Sequence, residues 1–578
     1  MKTKNKDIDF KAIPDKVVEF FGNHLYLCML VICLLSHIVT FSQNLFHYAH
    51  SDITGIFVIS IALIFLANKL LSPNCNTLSR VVVSVIIIGV VYYFAVLNRM
   101  CGRFEGLYLL SGTAIIFLSL FVYRNTEKKE KLVVFAIIAF AFLVRLWYVY
   151  RIDIYTYQHD IGAFGGDGHL GYIDYLYSNV KLPDFDPRPR WQFYHPPLHH
   201  LIAAMWIGIN KDIFGVGESL AREGIQSLTL FYSMVILVTI YLILKHINIK
   251  GIPLYTALIL VAFHPSFILL SGSVNNDCLS VALICVSLLA ALKWSEKPSF
   301  KRAGLIGLFV GLAMMAKLSS ALVAIPIALI LISRYIKDFK KEKKNYTLQF
   351  LLLGIIAFPL GLGYQIKNYF SFGVPITYVQ ELGTDIDQYI GGGSLLQRLF
   401  DFSPFQLSRP FLSWASWGDG GYNEYNPLIA LFKTSMFEES ICEITFPRGT
   451  FISFIAYLLF WVSIAIALYA TVSMVITVYK KLKTNPREMV LLGSMWLITF
   501  CSYYSMCADY PFVCTMSFRY ATPLILMGAI FVGYMQGSFL EKKKKGYTIA
   551  AYSVLGVSIL FAFLSVIAYF RITGLISL

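Results

Sequence analysis

The chain has 578 residues, of which 57% are hydrophobic, 16% aromatic and only 14% charged, with a formal net charge of +15. Apolar runs recur at the length that crosses a bilayer, roughly 20 residues, which excludes a soluble globular enzyme and reads as an all-α polytopic membrane protein. The positive charge does not indicate nucleic acid. Lys and Arg fall mostly in short loops between apolar runs, where the positive-inside rule and anionic headgroups account for them.

In chain order, a polar tail with Lys2, Lys4, Lys6, Lys11 and Lys16 leads directly into a full apolar span, so no cleavable signal is expected. Spans are expected near 25–43, 53–72, 80–98, 106–123, 131–150, 225–245, 252–270, 277–294, 302–317, 319–336, 347–365, 452–479, 488–506, 517–537 and 547–570, about fifteen in all. This number puts the Lys-rich stretches Arg124–Lys131, Lys245–Lys250, Lys293–Arg302, Lys337–Lys344, Lys480–Arg487 and Lys542–Lys545 on one, cytosolic side, with Arg99 and Arg103 as the main exceptions. Two long loops, 151–224 and 366–451, then face the extracytoplasmic side of what is expected to be the plasma membrane. Segment 196–213 is apolar but short and led by prolines, and reads as an interfacial or re-entrant helix. Residues 1–124 hold four spans and no polar loop cluster, and read as an added module. Residues 125–375 form a core with the acidic outer loop 151–224, residues 376–451 a second outer loop, and residues 452–578 the last spans. Cys442, Cys507 and Cys514 fall in the outer loops, where a disulfide is chemically allowed.

Polar chemistry concentrates between Tyr157 and His200, which holds Asp160, Asp167, Asp174, Asp184 and Asp186 together with five of the eleven histidines. Asp160, beside His159 and shortly after a span, suits a general base: a carboxylate shielded from water takes up a proton more readily. The competing reading is a loop Asp that caps a helix. Asp167 and His169 sit in a Gly-rich turn. Tyr194 and His195 precede Pro196-Pro197, and a proline pair starts a helix well. The histidine spacing matches no tight zinc motif; a divalent ion (Mg²⁺ or Mn²⁺) held by Asp160 and Asp277 is the metal alternative. Asp277, with Asn275 and Asn276, opens a span and either caps it or lines the cavity of Asp160. Lys317, Lys367 and Arg519 lie at outer ends of spans, where the charge rule does not expect cations. They either snorkel to headgroups or bind phosphate.

Several of these pieces resemble one family in order along the chain. They are Asp160 in an acidic loop, VKLP at Val180–Pro183, the Tyr194-His195-Pro196-Pro197-Leu198 motif, GLFVGLAMMAK ending at Lys317, KNYFSFGVP from Lys367, and FRYATP from Phe518. Over roughly residues 131–537 the chain resembles the polyprenyl-phosphate-sugar-dependent glycosyltransferases of the GT-C superfamily, in particular the glycosyltransferase family 39-like branch of protein O-mannosyltransferases and lipid A aminoarabinose transferases. Three departures stand out. Ile161 follows Asp160 where the family often has a second carboxylate, Lys181 replaces a Gly, and Lys367 stands where Arg is common.

The resemblance implies a GT-C-like transmembrane bundle with short helices in its outer loops. It implies transfer of a sugar from a polyprenyl-phosphate donor, which serves as co-substrate, to a glycan, lipid or protein acceptor at the extracytoplasmic face, with inversion. Asp160 would be the base, Lys317, Lys367 and Arg519 would hold the donor phosphate, and His159, Asp167, His169, Tyr194, His195 and Asp277 would line the substrate cavity. The alternative is a transporter or flippase of a lipid-linked sugar, which also needs outer cations and intramembrane polar groups.

Overall fold

The computed structural model describes residues 13–41, 112, 128–158, 160–162, 167–415, 417–418 and 422–574, and divides into two compact units, Met1–Trp147 and Tyr148–Leu578. The first unit contains α1 (Ile13–Asn23), α2 (Leu25–Phe41) and most of α3, Lys129–Arg151. Within it, Lys128 meets Glu19 at 2.8 Å, an exposed pair of small energetic weight. The spans expected near 53–72, 80–98 and 106–123 lie outside the described residues.

The fold is all-α. The described strands are a two-residue antiparallel pair, Ser413–Trp414 with Trp417–Gly418. Among the described residues nine helices are long and apolar enough to cross a membrane, or ten if one bent pair is a single span. The expected count of about fifteen is therefore not tested in full. Three of the expected spans fall outside the description, and those at 25–43 and 302–317 are helices of 17 residues each, Leu25–Phe41 and Phe300–Ala316. The bent pair, Ile252–Ala262 and Pro265–Ser271, turns by 51°. Its break follows from sequence: a residue before proline is pushed out of the helical region, and the His264 side chain accepts from Ser266 N and so caps the second half.

In the second unit the helices that build the site are α4 (His169–Asn179), α5 (Leu198–Gly208), α6 (Ile225–His246), α7 (Asp277–Glu296), α8 (Phe300–Ala316), α9 (Phe339–Phe372), α10 (Pro427–Phe437) and α11 (Pro486–Asp509). The segment expected to be interfacial or re-entrant contains α5, whose 11 residues span only about 16 Å. α6 and α7 are interior. Thr229 Oγ1 of α6 donates to Ser271 O at 3.0 Å, and Ser233 Oγ donates to Phe267 O at 2.9 Å, the hydroxyl cross-bracing that helices use where lipid supplies no hydrophobic drive. α8 and α9 touch backbone to backbone. A Cβ on Gly307 would lie 2.7 Å from Leu353 O, and one on Gly311 would lie 2.9 Å from the Leu360 side chain. This small-xxx-small seam packs the second half of α8 against α9, and Lys317 follows directly after α8.

Candidate active site

A cavity of about 650 Å³ opens in the second unit and is lined by Asp160, His169, Gln192, Tyr194, His195, Asp277, Lys317, Gln365, Asn368, Arg519 and Tyr520, among others. Residues far apart in sequence thus share one space, and each arrives by a local device.

Asp160 is held by the start of α4. Its carbonyl accepts from His169 N at 2.7 Å, and the Ile161 carbonyl accepts from Leu170 N at 3.0 Å. Two orphan amides of a helix N-terminus are satisfied in this way. The approach requires Gly168, which has φ +110° and where a Cβ would lie 2.6 Å from the Asp160 and Ile161 carbonyl oxygens. Asp160 itself has φ 54°, a left-handed conformation that Asp tolerates better than most residues. The Asp160 carboxylate is not consumed as a side-chain cap. Burial, reinforced by that carboxylate, pushes the Tyr194 phenol up.

Asp277 begins α7, and its amide donates to Asn275 Oδ1 at 3.1 Å. Its side chain does not cap the helix. One carboxylate oxygen pairs with Lys317 Nζ and the other meets Arg519 Nη1 at 3.3 Å; the three side chains are 3%, 12% and 7% exposed. Asn276 Nδ2 donates to Ala316 O at 2.8 Å, fastening the end of α8 to the start of α7. Lys317 then leaves the helix in an extended conformation, φ −152°. Arg519 lies in a short 3-10 turn after α11, and Phe518 N donates to Thr434 Oγ1 of α10 at 3.0 Å. Tyr520 lies under both cations, 4.9 Å from Lys317 and 5.7 Å from Arg519 to its ring centroid.

A column of packed rings starts at the cavity with Tyr194, His195 and His169 and continues into buried residues. Tyr194 packs on His195 at 4.4 Å, His195 on His169 at 5.5 Å, and His169 on His200 at 5.2 Å. Tyr172 and Phe193 continue it at 4.4 and 4.7 Å. His169 Nδ1 and His200 Nε2 share a hydrogen bond of 2.9 Å, and His199 Nε2 donates to Val274 O at 2.7 Å. Burial is the main force on these imidazoles. It pulls His195 down to about 3, with Lys317 adding to it, and His199 down to about 4. The stack is neutral at physiological pH.

Other residues singled out by the sequence lie elsewhere. Asp167 does not line the cavity; its carboxylate pairs with Arg190 at 2.5 Å, and Arg190 covers the end of the ring column, 4.0 Å from the Phe193 centroid. Asp174 pairs with Arg222 at 2.9 Å. Lys367 is also outside the lining: Nζ donates to Pro183 O and lies near the Tyr364 and Phe372 rings at 5.7 and 5.6 Å. It fastens the VKLP loop to α9. His159 lies outside the described residues. The cavity adds Gln192, Gln365, Asn368 and Tyr520, which the sequence did not mark. Cys442, Cys507 and Cys514 are thiols, with no disulfide among the described residues.

These residues do not fit a divalent ion at Asp277. Both of its oxygens already face cations, which would repel a metal ion. Among the described residues no group of three or more His, Cys, Asp or Glu is arranged to hold one. What the arrangement can do is bind an anion in a cavity that Asp160 also lines.

Residues 194–361 match the family model described as dolichyl-phosphate-mannose-protein mannosyltransferase. The match starts at Tyr194 and contains His195, Asp277 and Lys317 of the cavity. No curated protein matches the chain. The matched segment and the long apolar helices together support an integral membrane glycosyltransferase of the GT-C type.

Proposed function

We propose that this protein transfers a sugar from a polyprenyl-phosphate donor to an acceptor hydroxyl or amine at the extracytoplasmic face of the membrane, with inversion. One observation carries the reading: Lys317 and Arg519 converge on Asp277 inside the cavity that Asp160 lines. Two cations and one carboxylate leave one net positive charge. That matches the single negative charge of a phosphodiester donor and favours the second charge that develops on the leaving phosphate. Fixed charges on largely buried side chains act strongly on such a transition state.

Asp277 is neutralised by its two partners, so it is poorly suited to act as base or nucleophile. Asp160 is the remaining carboxylate of the lining. In the proposed step Asp160 takes the proton of the acceptor. The acceptor's electron pair forms the new bond to the anomeric carbon from one side. The bond from that carbon to the phosphate oxygen breaks on the other side, and its electron pair leaves with the polyprenyl phosphate. A single in-line displacement of this kind inverts the anomeric centre. The side assignment rests on the Lys-rich loops, which the positive-inside rule puts opposite to loop 151–224.

The test is turnover in detergent. An enzyme releases polyprenyl phosphate from donor and acceptor without a sealed compartment. A flippase leaves the donor chemically intact there, and that result would overturn the reading.

A further inference from the structure

Outside the cavity, one stretch of the second outer loop has its polarity turned inside out. Residues 395–407 (LLQRLFDFSPFQL) form a short helix, Leu395–Phe400, and one further helical turn, Pro404–Leu407. Leu395, Leu396, Phe400, Phe402 and Phe405 are 48%, 72%, 65%, 47% and 54% exposed. The polar members are turned inward instead. Arg398 and Gln406 are buried, and the Arg398 guanidinium donates to Cys507 O. The Tyr425 hydroxyl donates to Asp401 Oδ2 at 2.5 Å, and Asn426 Nδ2 donates to Asp401 O at 2.9 Å. Gln397 is the one well-exposed polar side chain among residues 395–407.

A segment bathed in water does the reverse. It keeps its guanidinium outside, where hydration is free, and hides its Leu and Phe. A contiguous exposed apolar patch therefore marks a face that meets another protein or a membrane. Two observations favour the membrane. Cys507, which holds Arg398, lies in the last turn of α11, a helix long and apolar enough to span a bilayer. The stretch is thus fastened to the end of a span. A protein-binding patch also carries a polar rim around its apolar centre, whereas here Arg398 and Asp401 are engaged on the inner side. Leu and Phe are the residues that interfacial segments bury at the boundary of headgroups and acyl chains.

We infer that residues 395–405 form a foot that dips into the bilayer surface beside the end of α11, and that the partner of this face is lipid. Arg398 fastens the foot to the span, and Asp401 ties it to the residues that begin α10. Just before the foot, Ile390 N donates to Pro511 O at 2.9 Å, and Val513 N donates to Gln388 O at 3.0 Å. The foot is therefore joined to the segment that leads into Arg519, and it belongs to the same loop that lines the cavity at Ile376, Thr377, Tyr378 and Val379. The inference needs α11 to be a span and needs no particular reaction.

The experiment is spin labelling of the purified full chain in phosphatidylcholine nanodiscs. p-Acetylphenylalanine is placed singly at Leu396, Phe400 or Phe405 and carries a nitroxide through a ketoxime, which leaves the native thiols untouched. These side chains are exposed, so the label displaces no packing. Collisions with molecular oxygen, which concentrates in the bilayer, are compared with collisions with a water-soluble nickel chelate. Leu497 of α11, 55% exposed, is the lipid reference, and Asp385, exposed in the same outer loop, is the water reference. Oxygen collisions are expected to exceed nickel collisions at all three positions. The depth should be about 5–10 Å below the headgroups, the range of an interfacial helix, between the values at Asp385 and Leu497. The inference is overturned if the three positions meet nickel as freely as Asp385 does, which places the stretch in water. It is equally overturned if they are shielded from both probes, because a protein surface, such as a second copy of the chain, then covers the face.

Discussion

Arg519 and Asp277 stand 242 positions apart in sequence, yet Arg519 Nη1 lies 3.3 Å from Asp277 Oδ2. With Lys317 on the other oxygen, Asp277 holds two cations that would otherwise repel each other in a buried space. The first prediction follows from this. Asp277→Asn leaves both cations buried without their anion and should cost about 3–5 kcal/mol of stability, the scale for breaking a buried pair. A phosphate ligand then supplies the missing negative charge. Polyprenyl phosphate should therefore raise the thermal midpoint more in Asp277→Asn than in the wild type, because ligand affinity is linked to stability. Equal shifts in the two proteins would show that the phosphate does not reach Lys317 and Arg519.

Gly168→Ala should damage the site without touching any side chain in it. The new Cβ collides with the Asp160 and Ile161 carbonyls, so the Asp160 loop must shift. A misplacement of about 1 Å costs on the order of 10²-fold in rate. We expect kcat to fall by that order while affinity for sugar-free polyprenyl phosphate holds. Wild-type kcat in Gly168→Ala would mean that the backbone turn does not set the position of Asp160.

The histidine stack makes the fold sensitive to acid. Burial holds His195 at about 3 and His199 at about 4, below the value of roughly 6.5 expected in the unfolded chain. The unfolded state thus binds more protons as the pH falls. The stability contributed by neutral imidazoles is fully present above about pH 6.5 and is lost progressively toward the folded values. The thermal midpoint should fall between pH 6.5 and 5, before most carboxylates titrate, and His195→Gln should flatten that fall. A midpoint that is level down to pH 5 in the wild type contradicts the neutral stack.

The sequence shows the types of chemistry in this site but not their meeting. Asp160, His195, Asp277, Lys317 and Arg519 stand out because charge and imidazole are scarce in an apolar chain. That Asp277 joins Lys317 and Arg519 is not legible, since the contacts bridge 40 and 242 positions. Lys367 looks like Lys317 in sequence, a cation at the outer end of a span. Only packing separates them, because Lys367 is committed to Pro183 O. Asp167 reads as a site carboxylate until Arg190 is placed beside it. Gln365 and Asn368 lie in a run long enough to read simply as a span, and neutral amides carry no charge signal. The break at His264-Pro265 was readable from the residue pair, but the apolar run on both sides favoured one continuous span.

The most direct test of the account is Asp160→Asn in the purified full chain, with donor binding and polyprenyl phosphate release measured on the same sample. Asn keeps the size and polarity of Asp and removes its basicity. A general base contributes roughly 10²–10⁴-fold in rate. The account predicts donor affinity close to wild type and release slowed by that factor. Release near the wild-type rate would contradict it.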